Sequence, residues 1–369
     1  MIARLGHQLL KRRHSEQSLP AHVFSEPTPF FSAARSMITA EIDYPTMSAT
    51  PAGELASRLG FGELLHALDN RVRDELRTEF ILCSELPLRE VCSGIGPLGA
   101  LMLFATEAAC GLAASDRSVD AALAVELLQV FTTTLGKVTV GGGDEAKANN
   151  ALAVTIGDYV LSRAVSALAG HGAVFGEMLA DAIEASGEAV ALLARDRSQM
   201  GYPLHRYMEW ARLGSGAGFS LAARIGARRA GASQAVENAL RVAGESLGIA
   251  VQICEDVLNV RRQDPVTGGT PWRILKEGRL GLPILLAVEE EQRIAALLDR
   301  TKPRAEWEDV IYMIVNSEGL ARAGEICREY ANRTKRIAVE IAGPGTPLEA
   351  LCDLPARCVA ALTSPLLDE

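Results

Sequence analysis

Apolar positions along most of the chain recur at spacings of three and four. The segment GELASRLGFGELLHALDNRVRDELRTEF, from Gly53 onward, is the first clear case, and the same period returns in about ten segments up to the C terminus. Short polar or glycine-rich steps separate them: GIGP, DRS, GGGDE, GHG, RDRSQMGYP, GAS, TGGTP and the Gly-Pro steps near 343. No stretch alternates as a strand would, and no unit repeats at a fixed period. The pattern therefore predicts one all-α domain over residues 51–369. Several of its helices are too apolar for a surface and belong in the middle of a bundle. Residues 1–50 are different. Pro20, Pro27, Pro29 and Pro45 lie among Ser, Thr and His without periodicity, which predicts a loosely ordered N-terminal extension.

Composition narrows the class further. Hydrophobic residues make up 48% and charged residues 22% of the 369 positions, a globular balance. Aromatics are only 5%, and the apolar bulk is Ala, Leu and Val, which favours packed helices. The net charge of −9 argues against nucleic acid as a partner, because a phosphate backbone demands a clustered basic face. The seven cysteines follow no regular spacing and mostly sit in apolar runs, so they predict small buried side chains in a reducing, cytoplasmic setting. The basic start, free of acids up to Glu16, leaves an organellar presequence as the minor alternative. The longest uncharged stretch, Val91 to Thr106, is too short to span a bilayer.

Common catalytic signatures fail. GSGAG at 214–218 lacks the third glycine of a dinucleotide loop and lies within a helical pattern, where small residues serve close helix packing. GKVT at 136–139 lacks the upstream glycine of a P-loop, there is no G-x-S-x-G elbow, and the six histidines show no metal-ligand spacing. Three stretches do stand out: NALAVTIGDYVLSRA at 150–164 with Asp158 in its middle, LGIAVQICEDVLNV at 247–260, and the loop TGGTPWRILKEGRLGLPILLAVEE at 267–290. On a helix, Gln252, Asp256 and Asn259 fall near one face, with Glu255 beside them. Polar groups on an inward face are costly unless they are paired or border a cavity. The arrangement is thus a satisfied core network or a site, and the clustering of four such residues favours the site.

These stretches resemble the trans-polyprenyl diphosphate synthases, the polyprenyl synthetase family of the isoprenoid synthase fold. Asn150, Leu152, Ala153, Gly157, Asp158, Tyr159 and Leu161 fit the family pattern N-x-L-A-x-x-x-G-D-[FY]-x-L, VQICEDVLN stands where the family has F-Q-I-x-D-D-x-x-D, and GRLGLP at 278–283 stands for G-K-x-T-L-P. The resemblance implies an isoprenoid-synthase-type helical bundle around a central apolar cavity, usually dimeric. It also implies two facing aspartate-rich helices that hold magnesium ions on an allylic diphosphate, hard oxygen ligands suiting Mg²⁺.

The departures from the family are as specific as the fit. The first D-D-x-x-D falls on Gly136-Lys137-Val138-Thr139-Val140, with no aspartate. The early basic motif falls on Val91-Cys92-Ser93-Gly94-Ile95-Gly96-Pro97, where only the proline survives. The family's Lys-Thr pair falls on Gly214-Ser215, the second motif has become Glu255-Asp256-x-x-Asn259, and the loop lysine is Arg279. A diphosphate brings about two to three negative charges that need compensating cations. The remnant of two carboxylates and an amide suffices for at most one weakly held Mg²⁺, with Glu255 and Asp256 as its ligands. Ordinary Mg-dependent elongation is therefore expected to be absent or weak, since the leaving group's charge goes unstabilised.

The expected substrate-binding positions are Gln252, Asn259, Phe131, Lys137, Arg279 and Asp158. If the family's fold is kept, Lys137 stands across the former metal site from Asp256 and Glu255, where an ammonium would neutralise them; or else it snorkels to solvent at a helix end. Phe131, the fifth residue before the first motif, would plug a prenyl pocket to suit a short chain, or else it is ordinary core. Three functions remain open. One is a non-elongating partner subunit, a homodimer or a heterodimer with an intact polyprenyl synthase. The second is an atypical enzyme in which Glu255 or Asp256 handles protons for terpenoid-type prenyl transfer or cyclisation. The third is a cavity protein that binds an apolar isoprenoid-like small molecule without chemistry.

Overall fold

Chain entry into the bundle is set by Thr50. In the computed structural model its hydroxyl accepts a hydrogen bond from Gly53 N at 3.1 Å and donates to Met47 O at 2.7 Å, capping a helix that opens with Pro51 at its first turn. Met47 and Thr50 are buried while Thr46, Ser48 and Ala49 are exposed, so the turn before α1 is anchored by two side chains. The structure describes residues 46–76, 96–136, 138, 144–196, 202–261, 280–298 and 304–363. All of them lie in one compact unit, Ile42–Glu369. Residues 1–45 of the expected extension lie outside the described residues.

Every regular element among the described residues is helical. The α-helices in chain order are α1 Pro51–Arg58, α2 Gly62–Leu76, α3 Leu98–Ala109, α4 Asp116–Leu135, α5 Asp144–Leu168, α6 Ala173–Asp196, α7 Leu204–Ala211, α8 Ala217–Arg229, α9 Gln234–Arg261, α10 Leu282–Glu290, α11 Gln292–Leu297, α12 Arg304–Val315, α13 Glu318–Ala342, α14 Pro347–Cys352 and α15 Leu354–Thr363. A π-helical turn, Arg212–Gly216, joins α7 to α8. The short helices explain why more elements exist than the periodicity suggests: α11, α14 and α15 are one-turn to three-turn pieces, in which a period is barely measurable.

α4 and α9 form the centre. From Val119 to Phe131, α4 is buried almost without interruption, because Ala, Val and Leu surround its whole circumference. Among the described residues, two helices are long and apolar enough to cross a membrane by length and composition. One, Asp116–Leu135, has 72% of its apolar window inside the bundle and is a core helix; the other, Asn149–His171, has only 33% inside. α4 begins at Asp116. Ser115 is the N-cap; Ser118 in the first turn accepts from Ser115 N at 2.9 Å and donates to Glu107 Oε2 at 2.5 Å. Glu107, fully buried on α3, also takes Arg229 Nε at 2.5 Å, and this ion pair pins α3, α4 and α8 at one end of the bundle.

α9 is flanked by α8 on one side and α13 on the other. Its two close approaches are made by glycines. A Cβ on Gly244 would lie 2.4 Å from Phe219 O, and one on Gly248 would lie 2.5 Å from Ser215 O. Without side chains there, α9 seats directly on the backbone of the π turn and α8. The small residues of GSGAG thus serve close packing, as the helical pattern predicted, and form a π turn besides.

Candidate functional site

The residues that the sequence clusters on α9 fall in a graded stripe. Asp256 is buried, Gln252 and Glu255 are half-buried, and Asn259 is exposed. The structure therefore brings Gln252 and Asp256 together in the interior and leaves Asn259 at the surface.

Asp256 is enclosed by donors. Its Oδ2 accepts from the Tyr207 hydroxyl at 2.7 Å and from the Leu282 backbone amide at 2.9 Å, and its Oδ1 accepts from Gln252 Nε2 at 3.1 Å. Gln252 Oε1 in turn accepts from Ser215 Oγ at 2.8 Å. The chain Ser215–Gln252–Asp256–Tyr207 links the π turn, α9 and α7, and the Leu282 amide ties in the first turn of α10. Gly281 makes that approach feasible, since a Cβ there would come within 2.7 Å of Asp256 Cγ. Nearby, Tyr202 donates to Leu280 O at 2.7 Å and fixes the strand of chain entering α10. Burial, and then the negative charge of Asp256, push the Tyr207 phenol well above its ordinary range; Tyr202 moves the same way for the same reasons. Both hydroxyls stay protonated and act as donors.

Asp196, buried at the end of α6, accepts from Arg195 Nε at 2.8 Å and Arg206 NH1 at 3.1 Å. The Arg195 hydrogen bond, foremost, holds its carboxyl below the usual range. Its charge reaches Tyr202 along with that of Asp256, so a second anion borders the network with its cations already in place.

The end of α4, where the first motif falls in sequence, is apolar. Gly136 caps α4 at its C terminus, and a Cβ there would meet Leu193 Cδ2 at 3.7 Å and the carbonyls of Thr132 and Thr133 at 3.3 Å. Phe131 is buried at the contact of α4 with α5, with its Cδ2 3.7 Å from where a Gly157 Cβ would stand. Thr132 and Thr133 turn their hydroxyls back to Leu128 O and Gln129 O. Asp158 is exposed on α5, outside the network. Lys137, Arg279 and most of the loop 267–290 lie outside the described residues.

Among the described residues the donor set does not fit a magnesium cluster. Three donors occupy the Asp256 oxygens, Asn259 points away into solvent, and Gly136 and Val138 offer no side-chain oxygen. Among the described residues no group of three or more His, Cys, Asp or Glu side chains is placed to hold a metal ion. A cavity of about 150 Å³ opens elsewhere, between α6, the π turn, α8 and α9, where Arg212, Arg224 and Arg241 meet Asp181 and Glu245. It shares none of the expected site residues.

Sequence reasoning missed Tyr207. The phenol lies in RYMEW, 49 positions from its partner, and nothing local marks it as anything but an amphipathic aromatic. Ser215 was placed only through the family's Lys-Thr pair.

Comparison with known proteins agrees with this architecture. The family model described as polyprenyl synthetase matches residues 144–316. That span holds the Asp158 segment and the second motif and begins after Gly136. A geranylfarnesyl diphosphate synthase from Aeropyrum pernix is 34% identical over 134 residues, 36% of this chain and 42% of that protein. Heptaprenyl diphosphate synthase component 2 from Geobacillus stearothermophilus is 25% identical over 192 residues, 51% of this chain and 58% of its own length. The chain thus spans about half the length of these curated relatives. Among solved structures, a polyprenyl synthase from Caulobacter crescentus, complexed with calcium and isoprenyl diphosphate, superposes with a TM-score of 0.70 at 23% identity, covering 86% of this chain and 99% of that one.

Proposed function

We propose that this chain, a member of the polyprenyl synthetase family through residues 144–316, acts in isoprenoid metabolism as a non-elongating subunit that pairs with an intact polyprenyl synthase. The observation that carries the reading is the state of Asp256. Where the family pattern has metal-binding aspartates, this carboxylate is buried and spent on Tyr207, Gln252 and the Leu282 amide. It serves as a structural clamp between helices, and the sequence at 136–140, where the family pattern has its first aspartates, carries no carboxylate. Packing and catalysis make separate demands, so a scaffold keeps its fold after the machinery for holding a diphosphate is gone.

Two further features support a subunit role. The helix α5 leaves apolar side chains in the open, with Val154 44% and Val165 50% exposed, as a helix covered by another chain would. One relative is itself named as component 2 of its synthase. The atypical-enzyme reading needs an acid or base facing a substrate, and Asp256 is buried and already engaged by three internal donors. Glu255, half-buried beside it, is the remaining group for that reading.

The test is incubation with isopentenyl and allylic diphosphates plus Mg²⁺, with this chain alone, with an intact synthase alone, and with both. The expected result is no elongation by this chain alone, together with co-elution of the two proteins and an altered product length or rate in the mixture. Elongation by this chain alone overturns the proposal. Conversion of an allylic diphosphate to a cyclic or otherwise non-elongated product, lost in Glu255→Gln, establishes the enzyme reading instead.

A further inference from the structure

The cavity of about 150 Å³ between α6, the π turn, α8 and α9 joins two unlike linings. One is apolar: the buried side chains of Met178 on α6, Leu213 in the π turn and Leu221 on α8. The other is charged and nearer solvent, with Arg212 and Asp181 exposed and Arg224, Arg241 and Glu245 half-buried. Arg224 NH1 donates to Asp181 Oδ2 at 3.0 Å, and Arg241 NH1 lies 3.7 Å from Glu245 Oε2. Among the described residues, the Arg212 side chain has neither a hydrogen bond nor an ion pair. Three guanidiniums thus meet two carboxylates, and one positive charge is left without a counter-ion.

We propose that this cavity binds a small monocarboxylate whose apolar body is about the size of a benzene ring, with Arg212 as its anchor. The charge follows from the surplus, which one carboxylate neutralises. A guanidinium fork matches a carboxylate through two parallel N–H···O bonds. Arg241 adds donors, since 3.7 Å to Glu245 is beyond hydrogen-bond distance. The body follows from Met178, Leu213 and Leu221, because a cavity of about 150 Å³ lined by apolar side chains takes a benzene-sized guest. Inorganic phosphate fits less well: it brings more than one negative charge and sets a wholly polar surface against the apolar lining.

Arg212 and Leu213 share the π turn with Ser215, whose hydroxyl donates to Gln252 Oε1 at 2.8 Å. An occupant therefore braces, from the far side, the turn that supports the Asp256 network. The cavity shares no residue with the expected diphosphate site, so its occupancy does not depend on the proposed subunit role.

The experiment titrates benzoate into the full chain, isotope-labelled at the methionine methyl groups for NMR, in a buffer free of other carboxylates and of phosphate. The Met178 resonance is assigned by its loss in Met178→Leu. The expected result is a saturable shift of the Met178 methyl in the millimolar range, because the bound ring lies against it. Benzamide keeps the ring without the charge, acetate keeps the charge without the ring, and inorganic phosphate lacks the apolar body. Each is expected to compete with benzoate at least about tenfold more weakly than benzoate itself. Arg212→Gln, at an exposed position, weakens benzoate by about tenfold or more, and melting curves verify that it folds like the parent. Four results overturn the proposal: no shift of Met178 with benzoate, shifts confined to other methionines, equal competition by benzamide, acetate or phosphate, or unchanged benzoate affinity in Arg212→Gln.

Discussion

The Oδ2 oxygen of Asp256 lies 2.9 Å from the backbone amide of Leu282, across 26 residues of chain. An aspartate that the family pattern aligns with a metal-binding position here holds the first turn of α10. Such a helix start has backbone N–H groups with no partner in the helix, and a carboxylate supplies both an acceptor and a favourable charge.

Removing that carboxylate is therefore a stability lesion. Asp256→Ala leaves the Tyr207 hydroxyl, the Leu282 amide and the Gln252 amide without their acceptor, and the expected loss is about 3 kcal/mol, given roughly 1–3 kcal/mol for each stranded buried donor. Tyr207→Phe removes a donor but keeps the ring, so its cost is nearer about 1 kcal/mol. Urea unfolding measures both. A metal-binding aspartate behaves the opposite way without its ion, and Asp256→Asn would then stabilise the chain by relieving repulsion from Glu255.

Glycine 281 tests the same clamp from the other side. A methyl group added there would sit 2.7 Å from Asp256 Cγ and 2.9 Å from its Oδ2. Gly281→Ala is expected to destabilise by about 1–3 kcal/mol, the usual range for overpacking. The Asp256→Ala, Gly281→Ala double variant should recover part of that loss, because the smaller side chain vacates the space. Additive losses in the double variant would show that the clash lies elsewhere.

Glu126 gives a pH signature unrelated to the site. It is buried on α4, its Oε1 accepts the Ala100 amide at 2.7 Å, and burial outweighs that hydrogen bond to raise its carboxyl from 4.5 to about 7. A carboxyl that binds its proton more tightly when folded contributes stability fully below about pH 4.5 and loses it as pH rises through about 7. The gap between the two values corresponds to about 3 kcal/mol at alkaline pH. Glu126→Gln, which cannot ionise, should gain on the parent steadily between pH 5 and pH 8 in matched melting curves. Parallel curves for the two proteins would refute the assignment.

The buried ion pair at the far end of the bundle predicts a large asymmetric cost. Arg229→Met strands the fully buried Glu107 carboxylate with only Ser118 as donor, and the expected loss is about 3–5 kcal/mol. Adding Glu107→Gln should restore much of it, as chemical denaturation of the single and double variants will show.

How much of this was visible beforehand depends on how local the cause is. The all-helical architecture was legible because a period of three to four is a property of neighbouring residues. So was the stripe of Gln252, Asp256 and Asn259 on one helix. Whether that stripe formed a site or a core network was undecidable from the helix alone. The answer lies with Tyr207, Ser215 and Leu282, which come from three other elements. Ser115 and Ser118 are chemically equivalent as caps of α4; what distinguishes them is Glu107, a partner on α3. The packed turn at Met47 was hidden for a similar reason, since a single buried methionine has no period.

The π turn at Arg212–Gly216 gives the molecule a register on which its interior depends. One extra residue per turn is what lets Tyr207 on one side and Ser215 on the other face the same helix. Deleting a single position there would restore ordinary α geometry and swing everything upstream by about 100° around the axis. The phenol would then leave Asp256, so the length of 212–216 is constrained as tightly as the small residue types that let α9 pack against it.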